Sequence, residues 1–138
     1  MKTRKWICAA LALMLMLLGA AQAASLEKAW MEYEDYSGAR AEQSVESAGD
    51  LQKLEKILLR AKDNPAKLDG CTMNCTLFCM TTDGEIYDFA CATDGCPFIQ
   101  NRANDATYTL GVDYQSFWDI FANIQEGMGF EASSVFDW

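Results

Sequence analysis

Residues 71–96 read CTMNCTLFCMTTDGEIYDFACATDGC, with cysteines at 71, 75, 79, 91 and 96. On either side of Asp83-Gly84, residues 76–82 and 85–92 are rich in β-branched and aromatic side chains, which predicts a β-hairpin. Its register turns on the loop. A three-residue Thr82-Asp83-Gly84 turn with Gly84 left-handed sets Thr81 against Glu85, Cys79 against Tyr87, Leu77 against Phe89 and Cys75 against Cys91. That face is almost wholly apolar. A two-residue turn would set Cys79 against Asp88 and Cys75 against Ala92, parting the thiols and mixing the faces, so the longer loop is expected.

These thiols follow an N-terminus laid out as an export signal: Lys2, Arg4 and Lys5, an apolar run over residues 6–18, and the small-x-small site Ala21-Gln22-Ala23. Cleavage is expected after Ala23, which makes 1–23 a signal peptide and 24–138 a single exported domain of a length suited to one core. The apolar run is well short of the roughly 20 residues that span a bilayer. Cys8 leaves with the signal, and no cysteine stands at the cleavage point to carry a lipid. The Ala-Gln-Ala ending is bacterial in character. The expected address is secreted, extracellular or periplasmic, with no membrane attachment after cleavage.

Exported thiols usually become disulfides. Cys71 precedes the hairpin and Cys96 follows it, so a Cys71–Cys96 bond would tie its open ends, while Cys75–Cys91 suits the preferred register. Cys79 is left as a free, buried thiol. By the chain-entropy account, closing the longer loop contributes on the order of 3 kcal/mol.

Charge and composition narrow the function classes. All 20 acidic residues lie after residue 23 while only eight of the 11 basic ones do, which gives the mature chain a formal charge of −12. Such a surface repels phosphate backbones and anionic headgroups, so nucleic acid is an unexpected partner. There is no histidine. That excludes a Ser-His-Asp or Cys-His nucleophile, histidine-ligated zinc and an imidazole base. Paired carboxylates survive this filter, but so many acids single out no pair, and no catalytic residue is nominated.

Elsewhere the elements are legible from pattern. In 26–36, aromatics and acids before Ser37-Gly38 fit a hairpin that turns back into 39–45, but Leu26, Ala29, Trp30 and Tyr33 have helical spacing, so a helix over 26–33 competes and a strand is expected only for the part nearest Ser37. Ser47-Ala48-Gly49-Asp50 has the form of a capping box, and Leu51, Leu54, Ile57, Leu58 and Ala61 then make one apolar stripe that Asp63-Asn64-Pro65 stops. After a bend at Thr93-Asp94-Gly95, residues 100–105 read as a polar loop and 106–110 as a short strand. Asp113 is expected to cap a second helix running to about Glu126, with Tyr114, Phe117, Trp118, Phe121 and Ile124 along one side and Gly127 at its end. The tail, 128–138, carries Phe130, Val135, Phe136 and Trp138 without periodicity.

Two other readings of the sulfur atoms compete. Cys71, Met73, Cys75, Cys79 and Met80 are soft ligands suited to Cu(I), but their spacing is poor for a cage and residues 75–79 look extended. A catalytic thiol would be expected in a Cys-x-x-Cys at a helix start, and none occurs. Asn74-Cys75-Thr76 also matches a glycosylation sequon, which a bacterial product would not use.

The helix over 47–61, the hairpin and Ala92-Thr93-Asp94-Gly95-Cys96 together resemble small uncharacterised domains of secreted or lipid-anchored proteins from gut-associated bacteria. In these a cysteine precedes a strand–Asp-Gly–strand hairpin and Ala-Thr-Asp-x-Cys follows it. The resemblance covers about residues 47–126 and implies a fold and an address but no activity; Cys75, Cys79 and Cys91 depart from its pattern. The whole reading is an α+β domain, an antiparallel sheet built around the central hairpin with two amphipathic helices, stapled by disulfides. Its expected role is a non-enzymatic binding or cell-envelope module for an unknown protein or small-molecule ligand, with no cofactor and no metal. The alternatives are a thiol- or soft-metal-handling protein using the run from Cys71 to Cys79, and, third, a carboxylate-dependent hydrolase.

Overall fold

The computed structural model describes residues 24–35 and 37–127, so the expected signal peptide and the aromatic tail lie outside the described residues. The strands are β1 (Leu26–Glu34), β2 (Arg40–Ser44), β3 (Cys75–Thr81), β4 (Ile86–Cys91), β5 (Phe98–Asn101) and β6 (Thr107–Thr109). Helix α1 (Ala48–Lys62) intervenes between β2 and β3, and a 3-10 turn (Gly111–Asp113) leads into α2 (Tyr114–Ile120) and α3 (Ala122–Gly127). The strands form one antiparallel sheet in the order β2-β1-β3-β4-β5-β6. This is the expected α+β architecture.

The β3–β4 turn has the three-residue form. Gly84 sits at φ +85°, its N–H donates to Thr81 O at 2.9 Å, and Thr81 N–H donates to Glu85 O at 2.9 Å. The Thr81 hydroxyl also donates to the Asp83 carboxylate, a bond that holds that carboxyl below its ordinary range. Cys79 consequently faces Tyr87, Leu77 faces Phe89 and Cys75 faces Cys91.

Strand β1 runs further toward the N-terminus than the segment next to Ser37, because alternation outweighs the helical spacing there. Ala29 and Met31 enter the core, whereas Lys28, Glu32 and Glu34 stay in water. The β1–β2 turn is held by the Asp35 carboxylate, which accepts from Ser37 N (2.8 Å), Ser37 Oγ (2.6 Å) and Ala39 N (2.9 Å). Those donors, the Ser37 hydroxyl foremost, keep the carboxyl below its ordinary range.

Helix α1 starts at Ser47, whose Oγ accepts from Asp50 N at 2.9 Å, and buries Leu54, Ile57 and Ala61. These meet Met31, Leu77, Ile99, Phe117, Trp118, Phe121 and Ile124 in one cluster on one side of the sheet. Burying each large aliphatic contributes roughly 1.5–3 kcal/mol. Beyond the helix, residues 64–66 cover the β6 edge: Ala66 N donates to Thr107 O (2.9 Å), Thr109 N donates to Asn64 O (3.0 Å), and Pro65 bridges Tyr108.

Three details of the C-terminal half differ from the sequence reading. Strand β5 extends through Gln100 and Asn101, because pairing with β4 and β6 overrides their turn preference. Asp113 makes no side-chain cap; its carboxylate instead takes a two-pronged bond from Arg60 (2.7 and 2.8 Å), which ties α1 to the entry of α2. The expected continuous helix is broken at Phe121 (φ −108°, ψ 32°). There the Gln43 amide from β2 enters: Nε2 donates to Ile120 O at 2.7 Å, and Oε1 accepts from Ile124 N at 3.2 Å. One side chain thus satisfies the carbonyl that the break leaves open and shares the Ile124 N–H with Phe121 O (3.1 Å).

Replacing Gln43 by Met, which keeps its length, strands the Ile120 carbonyl and leaves Ile124 N–H with its bond to Phe121 O alone. Chemical denaturation is expected to show a loss of about 1–3 kcal/mol. Unchanged stability would mean that the break needs no clamp.

Candidate functional site

Strand β3 divides two chemistries between its faces. Cys75, Leu77 and Cys79 point toward the helices, and Thr76, Phe78 and Met80 point away.

On the helix side, Cys71 and Cys96 are joined across the open end of the hairpin, with Cα atoms 6.0 Å apart. A polar tie runs parallel to the bond: Asn74 Nδ2 donates to Thr93 Oγ1 (2.8 Å) and Thr93 N donates to Asn74 Oδ1 (3.1 Å). The sequon asparagine therefore spends its amide inside the fold. The second expected bond is not made. Cys75 and Cys91 occupy facing positions, but both are free thiols, and Cys79 is a third. All three are buried. Loss of hydration pushes Cys75 and Cys79 up to about 12, and pushes Cys91 well above its ordinary value. In the folded chain these thiols are therefore held protonated and out of reach of an external oxidant.

The sulfur set proposed for a soft metal is also divided. Cys71 is spent in the disulfide, Cys75 and Cys79 lie in the core, and Met80 is on the other face of β3. Among the described residues, no group of three or more Cys, Asp or Glu side chains is placed to hold a metal ion.

The face turned away from the helices is different in kind. Across its middle run Ser44, Trp30, Phe78 and Asp88 from β2, β1, β3 and β4. Trp30 and Phe78 stack with ring centroids 5.1 Å apart and planes 13° apart, and neither ring is buried. The next row holds Glu42, Glu32, Thr76, Ala90 and Gln100. Trp30 Nε1 donates to Glu32 Oε1 at 3.3 Å, and Arg102 Nη2 donates to Thr76 Oγ1 at 3.0 Å. On the other flank, Met80 pairs with Ile86, which is 60% exposed. At the Glu34 end the face opens into a cleft of about 870 Å³, whose walls include Glu32, Glu34, Glu42, Met73, Asn74 and Arg102.

The aromatic pair escaped the sequence reading because Trp30 and Phe78 are far apart in the chain. Its signal was parity: Phe78 and Trp30 fall out of phase with the apolar residues that alternate into the core. Comparison with protein-family models, curated proteins and solved structures finds no match to this chain.

The thiol assignment has two expected readouts. Intact mass without reductant shows a single disulfide, and iodoacetamide labels three cysteines only after denaturation; a second bond in the native protein would contradict it. Because burial raises the folded-state thiol pKa, the associated stability is whole below the unfolded value of about 8.5 and is lost as pH climbs toward about 12. Each thiol adds a downward slope of up to about 1.4 kcal/mol per pH unit in that window, and Cys79→Ala is expected to make the decline shallower.

Proposed function

We propose that the protein is an exported, disulfide-stapled, non-enzymatic binding module that presents the open side of its sheet to a protein partner. The observation that carries this reading is the Trp30–Phe78 stack. The core closes without it, on the opposite side of the same strands, and two aromatic rings are left at the water boundary in the middle of the sheet. Large aromatic side chains grouped in this way are the usual anchors of recognition surfaces. Supporting it further, the face is wide, continuous over four strands, and bordered by polar groups and a cleft.

Export accords with the N-terminal layout and with a disulfide that closes the hairpin. Such a staple suits a sheet that, among the described residues, packs against helices on one side, because the bond limits the freedom of the unfolded chain.

The experiment places a photo-crosslinking residue on each side of the molecule in the producing cells, as Phe78→benzoylphenylalanine and Leu59→benzoylphenylalanine. Leu59 is the exposed apolar residue of α1. A discrete adduct from position 78 and none from position 59 is expected. Adducts at 59, or at neither position, would overturn the assignment of the open face.

A further inference from the structure

The Glu32–Glu42 pair breaks a rule of sheet construction. The two lie directly opposite each other on β1 and β2, both exposed, and neither has an ion-pair partner among the described residues. Like charges at opposed positions repel and lower the stability of a sheet. The cation on the same face of β2, Arg40, is engaged with Glu34 at 3.2 Å, one row further on. Arg102 is directed to Thr76. The cleft walls carry Glu32, Glu34, Asp35 and Glu42 against Arg40 and Arg102, and the whole chain carries −9.

The neighbouring row supplies the rest of a cation site. Trp30 stands between Phe78 on β3 and Ser44 on β2. Phe78 stacks on one face of the indole, while the residue bordering the other is small. The Trp30–Glu32 hydrogen bond holds a carboxylate at the rim of the same ring. An ammonium or guanidinium over Ser44 would meet the indole face and lie within reach of both Glu32 and Glu42, two residues along the strands and next on the same face. On the far side of Phe78, Met80 and Ile86 offer an apolar shelf, with the exposed Lys28 paired to Met80 at its β1 end.

We infer that the open face is a docking site for a basic segment of a protein partner, one Lys or Arg of which seats on Trp30 between Glu32 and Glu42 while an apolar neighbour covers Met80 and Ile86. This rests on the binding-module reading and deepens it by naming the partner's chemistry. The charge complementarity that favours a basic peptide disfavours a nucleic acid or an anionic bilayer. The like-charge pair then has a function: a repulsion that lowers the stability of the free protein is relieved when a cation arrives, so it sharpens selection for basic partners.

The test uses a synthetic peptide of about 12 residues in which arginine alternates with leucine and serine, and a matched peptide with glutamate in place of arginine. Titration into the ¹⁵N-labelled chain is expected to move the Trp30 indole N–H signal with the basic peptide and not with the acidic one. Affinity is expected to fall as salt rises from about 50 to about 300 mM. It should drop by about tenfold or more in Glu32→Gln/Glu42→Gln and in Trp30→Leu. The glutamine double variant is expected to melt at or above the parent temperature, which separates lost binding from lost folding. Equal binding of the two peptides, or unchanged affinity in the glutamine variant, would overturn the inference. A crosslink from position 78 without any binding of the basic peptide would also overturn it, while leaving the open face as the recognition surface.

Discussion

The bond from Thr81 N–H to the Glu85 carbonyl, closed by a left-handed Gly84, is the constraint on which the molecule rests. A strand has a side-chain period of two, so a slip of one residue would exchange every side chain of β4 between the faces. With this turn, Cys75, Leu77 and Cys79 meet Cys91, Phe89 and Tyr87 on the helix side. The β1–β3 pairing separately sets the half-buried Phe78 beside Trp30 on the opposite face. The turn decides what β4 lends to each side of the sheet.

Everything else supports that division. The disulfide and the Asn74–Thr93 bonds close the hairpin at the end remote from the turn, so both ends of β3 and β4 are pinned. Helix α1 covers the sheet, and the exposed Arg60–Asp113 pair joins it to the turn that leads into α2. Gln43 does the corresponding work at the β2 edge, where its amide permits a bend that turns Phe121 and Ile124 inward. The three thiols fill the space under the helices as small apolar groups, consistent with their high proton affinity.

The hairpin register, the Ser47 cap and the stripe from Leu51 to Ala61 were legible in the sequence because each depends on neighbours within a few residues. The Cys71–Cys96 bond was legible because the hairpin brings its ends together. The break at Phe121 was not. It depends on Gln43, about 80 residues away, and no local pattern distinguishes a glutamine that clamps a helix from one that faces water. Register put Cys75 opposite Cys91 as expected, but facing alone does not fix a covalent state, and both are free thiols in this fold. In the candidate site, Glu32 and Glu42 were visible only as members of a long list of acids, and strand pairing singled them out.

The most direct test is a proton NMR measurement of cross-strand contacts on the native chain. Even-numbered residues of β3 occupy the closely spaced, non-hydrogen-bonded positions, where facing Cα atoms are about 4.5 Å apart and Hα protons touch. The expected result is Hα–Hα contacts between Phe78 and Asp88 and between Thr76 and Ala90, together with ring contacts between Phe78 and Trp30. Hα contacts from Phe78 to Tyr87 or Phe89 would instead place β4 one residue out of step, expose its core residues, and contradict the division of the sheet into a packed side and a recognition side.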